Sequence, residues 1–378
     1  MHFGYFDNAA TTELCEPVRQ AMIRAMDCFG NPSSLYDLGI HSQQLVESAR
    51  RKIAVQLKAK PNEIIFTSGG TEADNLAIFG AVSARKRLGN RVVTTGFEHA
   101  AVRNSMAELQ RRGFEVVYLP PNTDGTVAPE AFEQAINQDT ILVSVMQINN
   151  ETGAYLPVER LSRIIREKQA PALLHCDAVQ GFGKYSMVPE KCGIDLMTIS
   201  AHKIHGPKGI GALYIRNGVR ILPQLFGGEQ QNGLRPGTEP VILIAGFGAA
   251  VDVLGNLREN EQSAARVKAF LIQKLSELPD VIINSPSLSS AYILNVSVLG
   301  LKSETLLHFL ERDGIYVSAG SACAKGKASA VIQALGYDRR RADSVLRISM
   351  SRYSTVEEAQ TLVDGILRAQ QTLIHTKK

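Results

Sequence analysis

The chain has 378 residues, of which 44% are hydrophobic and 21% charged, with 31 glycines; this is a globular composition rich in tight turns and excludes a low-complexity or fibrous chain. Its length exceeds one ordinary core and predicts roughly two domains, or one large α/β domain with an appendage. The net charge is only +4 and the basic residues are scattered apart from Arg339-Arg340-Arg341, read as a solvated loop, so no direct nucleic-acid binding is expected.

Five cysteines, at 15, 28, 176, 192 and 323, form no C-x-x-C pair, which argues against a disulfide framework or a zinc site. No metal is expected, and a reducing, cytoplasmic setting is. The N-terminus lacks a basic region followed by an apolar segment, and no apolar run reaches the about 18 residues of a membrane span.

A short arm precedes a helical pattern from Cys15 to Met26, which stops at the turn Gly30-Asn-Pro. Ser42 to Leu57 reads as an amphipathic helix. From Glu63 onward, strand, polar loop and helix alternate, the signature of a mostly parallel sheet covered on both faces. Strands are expected at 64–66, 91–95, 115–119, 140–146, 171–176, 194–200 and 211–216, with helices over 73–82 and 100–111. Long helical patterns run from Val241 to Leu278. Within them Gly246-Phe-Gly248 lies inside an apolar helix, so these are packing glycines and not a dinucleotide site. A second domain follows, with strands at 291–298, 315–317 and 345–349, a helix capped by Ser303 and a final helix announced by the capping box Thr355-Val-Glu-Glu358. The expected division is a large domain, 14–255, and a small α+β domain made of 1–13 and 256–378.

Open α/β sheets bind ligands at the carboxyl ends of their strands. Those ends carry Gly70-Thr71, His99, Asn150, Asp177 with Gln180, and Ser200, His202 and Lys203. Each has a plain structural alternative: a glycine turn, a helix cap, a satisfied loop histidine, a solvated lysine. Taken together they suit a phosphorylated aromatic aldehyde. Ser68-Gly-Gly-Thr71 before a helix offers backbone N–H groups to a phosphate, Asp177 a carboxylate to a ring nitrogen, His99 a flat face and Lys203 an amine to the aldehyde. That ligand is pyridoxal phosphate. No G-x-x-x-x-G-K-[ST] segment supports a nucleotide phosphate loop instead.

Cys323 lies in a stretch of small residues flanked by Lys325 and Lys327, where a thiol can ionise and reach outward. Cys176, inside an apolar run, reads as a small core residue.

The motifs Phe6-Asp-Asn-Ala-Ala-Thr-Thr12, Thr67-Ser-Gly-Gly-Thr-Glu-Ala-Asp-Asn75, Asn149-Asn-Glu-Thr-Gly153, Asp177-Ala-Val-Gln180, Ser200-Ala-His-Lys203, Arg235-Pro-Gly-Thr238 and Gly320-Ser-Ala-Cys323 occur in this order. With them the chain resembles, over essentially its whole length, the cysteine desulfurases of the class V aminotransferase superfamily. The resemblance implies the fold type I architecture of pyridoxal-phosphate transferases and attachment of the cofactor to Lys203. It further implies that Asp177 pairs with the pyridine nitrogen, Gln180 contacts the ring oxygen and His99 stacks on the ring. Gly70, Thr71, Ser200 and His202 would hold the phosphate, with Thr238 supplied across a homodimer interface. Asn150 and Arg347 would hold the carboxylate of L-cysteine.

In the implied reaction the freed Lys203 amine takes the α-proton, and the Cys323 thiolate attacks the substrate sulfur. The products are alanine and a persulfide on Cys323, and His99 is a candidate for proton transfer at the substrate thiol. A sulfur-acceptor or scaffold protein, serving iron–sulfur cluster assembly or tRNA thiolation, is then expected as a partner. Family members of the long-loop type carry Glu-Pro-Ser after the cysteine; here Ala324 to Ala330 lacks it and is shorter. A selenocysteine lyase, or another class V lyase, would use the same cofactor machinery but not Cys323. A non-catalytic sulfur carrier on a degenerate fold would have no need of Lys203, Asp177 and His99 together.

Overall fold

The computed structural model describes residues 4–319 and 329–373. Twelve strands are present among them: β1 (Gly4–Tyr5), β2 (Ile64–Thr67), β3 (Arg91–Thr95), β4 (Glu115–Leu119), β5 (Thr140–Met146), β6 (Leu173–Asp177), β7 (Leu196–Ser200), β8 (Gly211–Ile215), β9 (Val281–Ile283), β10 (Ile293–Val298), β11 (Ile315–Tyr316) and β12 (Val345–Ser349). Seven build the main sheet in the order β2-β8-β7-β6-β5-β3-β4. Strands β7, β6, β5, β3 and β4 pair in parallel, and β8 runs antiparallel to both β7 and β2. The short connection between Ser200 and Gly211 dictates that reversal, since a parallel return needs a crossover of a dozen or more residues.

The apolar character of the inner strands follows from coverage of both faces. β5 is buried along all seven residues. Period-2 alternation then splits its neighbours between two cores: Leu142, Leu173, Leu196 and Leu213 face the helices Gly70–Arg85 and Ala100–Arg111, while Val143, Leu174, Met197 and Ala212 face helices that include Val241–Asp252. Cys176 belongs to the second core and is fully buried, as its place in the sequence predicts.

A smaller antiparallel sheet, β12-β10-β9, packs against Leu257–Ser276, Ser303–Glu311 and Val356–Thr372 around a separate cluster of Leu271, Leu294, Leu306, Leu346 and Leu362. The N-terminal arm joins this unit, not the large sheet. β1 pairs in parallel with β11, Phe6 enters the small core, and Asp7 bridges to Ser349.

Several local expectations change. The pattern from Val241 to Leu278 resolves into Val241–Asp252 and Leu257–Ser276, bent by 81° at a break where Gly255 takes φ +65° and the Asn256 side chain caps the second helix through Arg258 N and Glu259 N. Lys302, not Ser303, is the cap of the next helix; the Ser303 hydroxyl donates instead to Asp343 O at 2.9 Å. The arginine run is a helical turn, Arg339–Ala342, capped by Asp338. The helix expected from Ser42 begins at Asp37, and Pro129–Ala135, Val158–Glu167 and Pro189–Cys192 are further short helices. The capping box at Thr355 forms in both directions. Gly246 and Gly248 are packing glycines: a Cβ there would meet Met22 Cγ and Ala49 Cβ, each at 2.8 Å. No single helix among the described residues is long and apolar enough to cross a membrane.

Candidate active site

The parallel strands end on one side of the sheet, and the loops there enclose a cavity of about 520 Å³. It is lined by Gly70, Thr71, His99, Asn150, Asp177, Gln180, Ser200, His202, Lys203 and Arg347, every described residue singled out from the sequence except Thr238. Thr238 lies exposed on the loop before Val241–Asp252 and does not line this cavity. Cys323 lies outside the described residues, but Ser318 and Ser329 on either side of its segment line the same cavity.

One end of the cavity is built for an anion. The helix Gly70–Arg85 starts at Gly70 rather than at Ala73, and Gly69 before it adopts φ +152°, a conformation side chains rarely take. Gly70 and Thr71 therefore present first-turn N–H groups with no partner inside the helix, at the positive end of its dipole. The Ser200 hydroxyl is buried there without a partner in the protein. Beside it, burial and then the Lys203 charge push the His202 imidazole down to about 4, so it is neutral at pH 7. Thr11 Oγ1 holds its Nδ1 at 3.2 Å.

Lys203 follows β7 in a short turn, Ala201–Lys203. Its Nζ donates to Ala9 O at 2.5 Å and Ala10 O at 2.7 Å. Burial, followed by the Arg347 guanidinium, lowers the ammonium to about 8, with Asp177 and Asp7 opposing. About a tenth of the amine is thus unprotonated at pH 7, far more than for an exposed lysine. Gln180 donates to Ala9 O at 2.9 Å and accepts from the buried Lys184 at 3.3 Å.

Asp177, also on the cavity wall, terminates β6 and accepts from Val179 N at 2.9 Å. Burial raises its carboxyl, while the neighbouring His99 ring, that hydrogen bond and Lys203 favour ionisation. His99 caps the helix Ala100–Arg111, its Nδ1 accepting from Ala101 N at 3.2 Å. Glu98 next to it is fully buried, receives Thr95 Oγ1 and Met146 N, and is pushed up to about 8 by burial.

Arg347, on β12, is 4% exposed. Its Nη2 pairs with Asp7 at 2.7 Å and its Nη1 donates to Asn150 O at 3.1 Å, leaving Nε buried without a partner. Asn150 Oδ1 and Asp74 Oδ1 are likewise buried and unpartnered. Arg347 Nε, Asn150 Oδ1 and Ser200 Oγ belong to residues that line this one cavity, whereas Asp74 Oδ1 also faces His175 Nε2 at 3.6 Å. Buried polar atoms are normally paired, so their convergence marks a ligand with several polar groups. A phosphorylated pyridine fits: donors at a helix start, a buried carboxylate and a depressed lysine share one cavity.

Sequence reasoning assigned no individual role to Asp7, Asp74, Glu98, Glu151 or Lys184. Asp7 and Asp74 sit inside recognisable motifs, but nothing local says that they turn toward the cavity. Glu151 accepts from Ser329 Oγ at 2.5 Å, fastening the start of the helix Ala330–Ala334 to the β5 loop.

The family model "Aminotransferase class-V" matches residues 4–362. The cysteine desulfurase IscS of Methanosarcina thermophila is 40% identical over 98% of this chain and 92% of its own length. Among solved structures, a NifS-like protein superposes with a TM-score of 0.93 at 37% identity, covering 98% of this chain and 100% of that one. SspA in complex with cysteine superposes at 0.82 and 32% identity, covering 93% and 99%. With its full-length match and a cavity suited to a phosphorylated pyridine, the chain belongs to the cysteine desulfurases of the class-V aminotransferase family, which depend on pyridoxal phosphate.

Proposed function

We propose that this protein removes sulfur from L-cysteine, giving L-alanine and a persulfide on Cys323. The observation that carries this reading is the convergence on one cavity of Lys203, Asp177 and the residues of three unpartnered buried polar atoms, with the ends of the Cys323 segment at its edge. When bound, pyridoxal phosphate supplies an electron sink for charge developing at the substrate's α-carbon.

Gly70, Thr71, Ser200 and His202 would hold its phosphate, Asp177 would pair with its ring nitrogen, Gln180 would contact its ring oxygen and His99 would stack on the ring. Lys203 would attach it, and its amine, lowered by burial to about 8, would take the substrate α-proton. Arg347 meets the substrate carboxylate through its free Nε edge, with Asn150 beside it, and Asp7 orients the guanidinium. The Cys323 thiolate attacks the substrate sulfur; an S–S bond forms, the Cβ–S bond breaks, and the carbon skeleton leaves as alanine after protonation. His99 is positioned to move the thiol proton.

Phe29, Leu35 and Phe226 are 80%, 94% and 87% exposed, which supports a homodimer that covers them and brings Thr238 to the partner's phosphate site. The separate small core, which includes Phe6 and residues of Leu257–Ser276, supports the division into 14–255 and 1–13 with 256–378. Cys15, Cys28, Cys176 and Cys192 are free thiols, in keeping with a reducing cytoplasm, where an acceptor or scaffold protein takes the sulfur.

Incubation with L-cysteine and a thiol reductant is expected to yield alanine and sulfide in equal amounts. Absence of alanine, or pyruvate in its place, overturns the reading. Arg347→Lys keeps the charge but loses the fork, and should raise KM for L-cysteine about ten- to a hundredfold with the visible band unchanged. An unchanged KM would remove Arg347 from the substrate site.

A further inference from the structure

Behind Asp177 lies a buried polar chain that the reaction does not use. Ser144 Oγ is 2.8 Å from His175 Nδ1, and His175 Nε2 is 3.0 Å from Thr198 Oγ1 and 3.6 Å from Asp74 Oδ1. All four side chains are essentially buried, and Thr198 is the register partner of Asp177 across β6 and β7. Asp74 reaches this chain from the helix Gly70–Arg85, and ligand atoms of Asp74, Asp177 and His99 lie within 4.8 Å of one another.

Two buried carboxyls this close do not both ionise without compensation. The charges facing them are unequally shared. Lys203 and His99 act on Asp177, which also accepts the Val179 N–H. The charges that bear on Asp74 are those of Asp177 and Glu98, both acids; a hydrogen bond with the Thr198 side chain opposes them, and Oδ1 has no hydrogen-bond partner. His175 offers no cation: both its nitrogens are engaged by hydroxyls, and burial pushes it down to about 3. The pair's single negative charge therefore belongs on Asp177. With a proton on Asp74 the chain is satisfied throughout, Asp74 donating to Thr198, Thr198 to His175 Nε2, and His175 Nδ1 to Ser144.

We propose that Asp74 is a positioning residue which, as the neutral acid of a two-carboxyl pair, keeps Asp177 the charged partner of the cofactor's ring nitrogen. This rests on the cofactor assignment above, but its protonation half is testable on the cofactor-free protein. An unfolded Asp74 ionises near 3.8 whereas burial and Asp177 hold the folded carboxyl well above that, so folding binds a proton and wild-type stability falls as pH rises from about 4 toward the raised value.

The cofactor-free Asp74→Asn protein should accordingly melt above wild type at pH 8, by an amount that shrinks toward pH 4. A lower melting temperature at pH 8, or a difference independent of pH, overturns the proposal. In the loaded protein, Asp74→Ala should retain pyridoxal phosphate about tenfold less tightly, and Asp74→Asn should restore wild-type retention and the wild-type visible band. Asp177→Asn, in contrast, should shift that band and lose the cofactor. If Asp74→Asn and Asp177→Asn behave alike, the charge is not placed as proposed. If no variant, wild type included, takes up the cofactor, the functional reading fails while the melting comparison still decides the carboxyl pair.

Discussion

Lys203→Ala should yield a colourless protein whose alanine formation from L-cysteine is lower by about 10³-fold or more, the scale on which removing a positioned general base acts. Ala9 O and Ala10 O fix the amine in place, and burial with the Arg347 charge holds it near 8. Its neutral, reactive form therefore grows as pH rises through that value, while an exposed lysine would remain charged. Absorbance spectra and alanine assays on the same preparation test both roles. Full turnover in the variant would remove Lys203 from the chemistry. A variant that stays coloured but is inactive would separate cofactor holding from proton transfer, because Asp177 and the Gly70–Thr71 helix start remain to bind a cofactor without the covalent link.

Cys323→Ala is the second large effect expected, with an opposite signature. The visible band should persist, because the described cofactor residues lie on β2, β3, β5, β6 and β7 or the loops after them, while alanine formation falls about 10⁴-fold or more, as when a nucleophile is deleted. Exchange of the substrate α-proton with solvent should continue, since that step needs Lys203 and not the thiol. Wild-type alanine formation in the variant would overturn the persulfide reading and favour a lyase that eliminates sulfur or selenium without a protein nucleophile. A mass spectrum of wild type after cysteine treatment should place one added sulfur on the peptide containing Cys323.

Much of the large sheet was legible because burial on both faces leaves short, continuous apolar runs, and strand direction follows from connection length. The site residues after those runs were legible for a related reason: a polar side chain where an apolar strand stops sits at the sheet's carboxyl edge whatever the strand order. The capping box at Thr355 and the core role of Cys176 are equally local properties. The break at Gly255-Asn256 was harder, since helical patterns lie on both sides of it; the positive φ and the Asn256 cap separate the helices.

What the sequence by itself determined is the alternating α/β pattern, the lysine at the end of a buried strand as the candidate reactive amine, and the order in which polar groups arrive at the strand ends. Periodicity reports which face of an element is buried, but not what lies against it. Only the tertiary structure decided that the N-terminal arm brings the Ala9 and Ala10 carbonyls to Lys203, and that Asp7 pairs with Arg347 some 340 residues along the chain. The Asp74 carboxyl meets Asp177 for the same reason: β7 places Thr198 between a helix and a strand that are distant in sequence, and that juxtaposition depends on strand order and register.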